Sequence, residues 1–177
     1  MNWKVQLKRY EQQKDWDSAI KLMQKYIKDN NQDLDAYLCM NYLLMNLLVE
    51  EDYDVKKQDY YAELLKKYFL ESFSKFSHNP DYLFYTGITA HLSEWYFDID
   101  IEAAKTMLKD AFFLEPRNII YEWGYYYYVE VNDESSKLKV VNCSKEILNN
   151  NTLQESLTSK GALGEYILEI MQYSSKS

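Results

Sequence analysis

Residues 93–134 read SEWYFDIDIEAAKTMLKDAFFLEPRNIIYEWGYYYYVEVNDE, and their periodicity decides the fold. Ala103, Ala104, Met107, Leu108 and Ala111 recur every three to four positions, the period of one helical face. Pro116 then predicts the opening of a further helix, because proline suits the first helical turn. That helix carries Trp123, Gly124 and four consecutive tyrosines, and is expected to end near Val131, with a turn at Asn132 and Asp133. The stretch also holds ten carboxylates against Lys105, Lys109 and Arg117, so it carries minus seven of the chain's formal net charge of -8.

Working outward, the composition supports the same class. A chain of 177 residues with 47% apolar content suits one domain, here 1–177, whose core needs neither disulfides nor a metal. Four glycines and two prolines leave little material for hairpin turns, so the fold is expected to be all-α, with about nine helices in antiparallel pairs. Cys39 and Cys143 are too few and too far apart for a disulfide framework. The N-terminal residues alternate charged and apolar side chains and lack the hydrophobic run of a signal peptide, which predicts a cytoplasmic protein. The longest apolar run, 37–49, is shorter than the roughly 20 residues a membrane span needs. An isoelectric point near 4.8 without a Lys/Arg cluster argues against nucleic acid and points to a basic protein partner.

Trp3, Leu7 and Tyr10 share one helical face, and Asp15 or Asp17 can cap a second helix burying Ile20, Met23 and Ile27. Asp33 or Asp35 can cap a third, running to about Val49, and a long fourth helix follows from about Val55 to Phe76. Asn79 before Pro80 reads as cap and first helical residue of a fifth, ending near Trp95. Thr152 to Glu155 has the capping-box pattern and predicts one last amphipathic segment, bent or interrupted at Gly161 and Gly164. That segment would either cap the stack or fill its groove.

Pro80 aligns with Pro116 at a period of 36, and Gly87 with Gly124 at a period of 37, both near the length of a two-helix repeat. With Ala104, Leu108 and Ala111 before Pro116, these residues resemble the tetratricopeptide repeat, and Trp3, Tyr10, Ala19 and Met23 fit it in the first hairpin. The resemblance implies a short superhelical stack, a small residue at 87 and 124 for close approach of the paired helix, and an inner, partner-binding curve. The stretch 93–126 together with LTSKGALGEYILEI, 157–170, is also similar to small bacterial immunity proteins of polymorphic-toxin and contact-dependent inhibition systems.

In a stack of hairpins, the turns within pairs share one edge. There the sequence places Glu50, Glu51, Asp52 and Asp54, then Glu94, Asp98, Asp100 and Glu102, then Glu130, Asp133 and Glu134, with no Lys or Arg among them. An acidic ridge of this kind would steer a cationic partner, although acids also cap helices and solvate turns. With Gly124 in the close-packed place, Ile120, Trp123 and Tyr127 point into the helix pair. Tyr121, Tyr125 and Tyr128 then form a stripe on the opposite face, either lining the groove as an interface or covered by the C-terminal helix.

No cofactor and no metal site is expected. His91 and Glu94 could share a helical face, but no further ligand is adjacent, and there is no phosphate-cradling loop or nucleophile elbow. Turn carboxylates lack the desolvation that tunes acid–base catalysts, so no enzyme is expected. The resemblance implies an immunity protein that covers the active site of a basic toxin domain, expected to be a nuclease. The alternative is a scaffold that holds a peptide or helix in its concave groove, with self-association through the aromatic face as a third possibility.

Overall fold

The computed structural model describes residues 2–131 and 133–176, all of them helical or in short connections, with no strand. Eleven α-helices are present among these residues: α1 (Trp3–Gln12), α2 (Trp16–Asp29), α3 (Leu34–Glu50), α4 (Gln58–Phe76), α5 (Pro80–His91), α6 (Glu94–Phe97), α7 (Ile101–Leu114), α8 (Ile119–Gly124), α9 (Glu134–Leu148), α10 (Asn151–Thr158) and α11 (Ala162–Ser174). A 3-10 turn, Val55–Lys57, precedes α4, and a π-helical turn, Tyr125–Val129, continues α8.

Polar side chains set most of the starts. Asp15, Asp33 and Asn79 accept from the backbone N–H three residues on, at 3.2, 3.2 and 3.1 Å, satisfying donors the helix cannot use itself. Pro80 is the first residue of α5, but Pro116 lies in the turn before α8, whose cap is Asn118. The last segment begins two residues earlier than its capping-box pattern predicts, because Asn150 accepts from Leu153 N at 3.3 Å.

Eleven helices stand where about nine were expected, for two local reasons. The fifth helix stops at His91, four residues early, and Glu94–Phe97 forms a separate turn closed by Asp98 in the left-handed conformation, φ 57°. The C-terminal segment breaks at Gly161, φ +68°, so that α10 and α11 double back on each other. At their crossing the backbones nearly touch: a Cβ on Gly164 would lie 1.7 Å from the Leu157 carbonyl oxygen.

Hairpins form between α1 and α2, α3 and α4, α5 and α7, α8 and α9, and α10 and α11. Helices α3 and α5 are apolar around most of their circumference and buried along most of their length, the pattern of a helix enclosed on all sides. What encloses α3 is α4, α5 and α2, with α11 packing on it as well. The C-terminal hairpin packs on α9, and its second helix also reaches α3. Lys160, between α10 and α11, donates to Asp35 at 2.8 Å and to Asp81 at 3.5 Å, joining the first turns of α3 and α5. Lys4 reaches the same Asp35, at 2.5 Å, and also donates to the Ser159 carbonyl at 2.9 Å. Burial opposes the Lys160 ammonium, but its bond to Asp35 and the charge of Asp81 outweigh that and hold its pKa above the ordinary lysine value.

Candidate binding edge and aromatic cleft

The turns within the first three hairpins stand side by side along one edge. Lys14 in the first turn pairs with Glu51 in the second at 2.8 Å, Lys57 pairs with Asp17 at 2.7 Å, and Lys66 of α4 pairs with Asp98 at 2.6 Å. Gln58 donates to the Tyr96 hydroxyl across the same boundary at 3.5 Å. The edge is thus continuous over these three turns, but lysines from neighbouring hairpins reach across it and neutralise part of its charge.

Each acid has a distinct situation. Asp52 is exposed, and Glu51 is half-buried against Lys14. Glu94 opens α6; Asp98 is exposed, and its bond to Lys66 holds its carboxyl below the usual aspartate range. Asp100 and Asp133 are helix caps, accepting from Ala103 N at 2.7 Å and Ser136 N at 2.6 Å. Glu130 accepts from the Tyr125 hydroxyl at 3.0 Å. Among the described residues, Glu50, Asp52 and Glu94 are the ridge acids with neither a cap, an ion pair nor a tyrosine bond. The expected turn at Asn132 lies outside the described residues.

Tyr121, Tyr125 and Tyr128 do not form one exposed stripe: the face of α8 that carries Tyr121 and Gly124 packs on Phe84 of α5, and a π-helical turn shifts the residues after it. An α-helical register requires 121, 125 and 128 on one exposed face; the i to i+5 bond from Glu130 N to Tyr125 O, 3.1 Å, delays the rotation of the chain. Tyr121 is 3% exposed, packs on Phe84 and donates to Asp81 at 2.5 Å. Tyr128 is 6% exposed and packs on His91, ring centres 4.8 Å apart. Tyr125 is half-buried and stacks on Phe112 at 4.9 Å. Trp123 and Ile120 point inward as expected, and Tyr127, stacked on Trp123 at 5.1 Å, lies at the boundary.

What the π-helical turn opens instead is a cleft of about 1190 Å³ between the ends of α5 and α11 and the starts of α7 and α9. His91, Tyr126, Tyr127, Tyr128, Tyr166 and Tyr173 line it, with Leu138, Lys137 and Lys145 of α9. Burial, and then the charge of Lys105, hold His91 below its ordinary pKa, so the ring is neutral at pH 7. Tyr173 lies distant in sequence from the tyrosine run and Leu138 stands on the next helix, so only the run itself hinted at this surface. His91 ends α5 and Glu94 begins α6, so the two do not share a helical face. Among the described residues no three His, Cys, Asp or Glu side chains converge as metal ligands, and no helix is long and apolar enough to cross a membrane. The chain matches no protein-family model, no curated protein and no solved structure.

Proposed function

We propose that the chain is a protein-binding module that neutralises a basic partner through its edge of within-hairpin turns, in the manner of a toxin immunity protein covering a cationic active site. The observation that carries this reading is the side-by-side placement of three turns, tied by Lys14 to Glu51 and by Lys66 to Asp98. Carboxylates from residues far apart in sequence thereby share one surface, and such a surface accelerates encounter with a cation. The paired hairpins and the close approach of Gly87 to α7 support a tetratricopeptide-like stack, while Gly124, which faces α5, departs from that pattern. The alternative of a peptide in the concave groove loses its place on α3, because α11 packs there.

The test is a growth assay. The product of the reading frame directly upstream, expressed alone, should arrest growth, and co-expression of this chain should restore it. Rescue should weaken in the triple variant Asp52→Asn, Asp98→Asn, Glu130→Gln, which removes charge while leaving the caps at Asp100 and Asp133 intact. A non-toxic upstream product, or rescue indifferent to the triple variant, would overturn the proposal.

A further inference from the structure

We infer that the cleft between α9 and α11 is a docking site for a protein segment that presents an aromatic or branched apolar side chain flanked by carboxylates. This surface includes neither Asp52 nor Asp98 of the charged edge and meets the ridge acids at Glu134, and the inference does not require the partner of that edge to be basic.

Three observations converge on it. The cleft is an open trough of about 1190 Å³, larger than the roughly 300–1,000 Å³ that enclose a small ligand, and so fits a length of peptide. Large apolar side chains stand exposed along it, Leu138 at 60% and Tyr173 at 77%, and a cluster of that kind ringed by polar groups is the usual form of a protein contact. Its charge is opposite to that of the molecule. In a chain of net charge -8, Lys105, Lys137, Lys145 and Lys176 line the cleft; among the described residues Glu134 is the one lining carboxylate, and Glu102 outside the lining pairs with Lys105 at 2.9 Å.

Glu134 is bonded to Lys137 at 2.8 Å, and Lys145 has no carboxylate partner among the described residues. The floor is uncharged: Tyr128 is buried, and its hydroxyl has no hydrogen-bond partner. A neutral aromatic floor under a cationic rim receives an apolar anchor below and acidic neighbours above, and a Lys- or Arg-flanked anchor would meet like charge. A phosphate backbone is a poor match, because Glu134 stands on the same rim and Glu102 is bonded to Lys105 beside it.

The experiment is selection of displayed random peptides of about 12 residues on the full chain, with counter-selection on the Leu138→Asp variant. The surviving sequences should join Trp, Phe or Leu to Asp or Glu. The synthetic consensus peptide should bind the parent chain and lose about tenfold or more in affinity on the Lys145→Glu variant. Asp52→Asn and Asp98→Asn should leave its affinity unchanged, which separates this site from the edge. Leu138 is exposed, so its variant should keep the parent's circular dichroism, and Tyr173→Ser should reproduce its effect at a second exposed position. A basic consensus, no sequence dependent on Leu138, or a peptide insensitive to Lys145 would overturn the inference. So would a concentration-dependent dimer abolished by Leu138→Asp, which would assign the cleft to a second copy of the chain.

Discussion

The α5–α7 hairpin and the α8–α9 hairpin stand next to each other and use glycine in opposite directions. Gly87 turns its bare face to its own partner helix: an added Cβ would lie 2.8 Å from Leu108 Cγ and 3.2 Å from the Ala104 carbonyl oxygen of α7. Gly124 turns its bare face back to α5, where an added Cβ would lie 2.5 Å from Phe84 Cε2. The first hairpin is closed by its own two helices. The second is held from outside, by α5 on one side and the C-terminal hairpin on the other, and its first helix slips into a π-helical turn that seats Tyr127 and Tyr128. Equal spacing in sequence therefore produced a self-contained hairpin and a dependent one, and the aromatic cleft belongs to the dependent one.

The largest expected effect removes that external support. Lys160→Met leaves Asp35 and Asp81 without their shared cation and should cost about 3 kcal/mol in denaturant unfolding. Hydrogen exchange should show α8–α11 losing protection before α5 and α7; uniform loss would erase the distinction between the hairpins. Next come the glycines themselves. Gly124→Ala forces the fully buried Phe84 ring aside and should cost about 2 kcal/mol, whereas Gly87→Ala should cost about 1 kcal/mol, part of each strain being offset by alanine's helix preference. The reverse order would contradict the packing described.

A smaller effect probes how α11 meets α1. Burial first, and then the Glu165 charge, raise the Glu11 carboxyl to about 7 from an ordinary 4.5. Below pH 4.5 both folded and unfolded states hold this proton. Between 4.5 and 7 only the folded state does, so this group's contribution to stability falls as pH rises through that window and levels off above it. Glu11→Gln should therefore stabilise the protein at pH 8 by about 1–2 kcal/mol and flatten its stability profile between pH 5 and 7. An unchanged profile would mean that α11 does not desolvate Glu11. Smallest of all is Tyr125→Phe, which deletes a partly solvated bond to Glu130 and should change stability by less than about 0.5 kcal/mol.

Much of the fold was legible because it follows from local rules. The 3 to 4 spacing placed α2, α3, α4 and α7, and Asp15, Asp33 and Asn79 announced their caps. Gly161 announced the break between α10 and α11, since its φ of +68° is one that only glycine adopts without strain. Where the reading failed, a tertiary contact had overridden a local rule. The π-helical turn depends on what Tyr127 and Tyr128 pack against, and no periodicity of 3.6 contains it. The lysines that pair with Glu51 and Asp98 come from other hairpins, so the charge of the turns, read as sequence, overstated the charge of the edge. The cleft joins α9 to α11, and Leu138 and Tyr173 carried no signal of their proximity.

The C-terminal hairpin covers part of α3, where α11 packs on it. Cys39 reports on it most directly: it is buried beneath the turn at Gly161, its thiol lies 3.6 Å from the Lys160 carbonyl oxygen, and burial pushes its pKa up to about 12. In a Cys143→Ser variant, Cys39 should react with a thiol-disulfide reagent only as fast as the folded chain opens, and addition of Lys160→Met should raise that rate by about tenfold or more. Immediate reaction of Cys39 in the chain that retains Lys160 would show that the inner face is open, and would contradict the account.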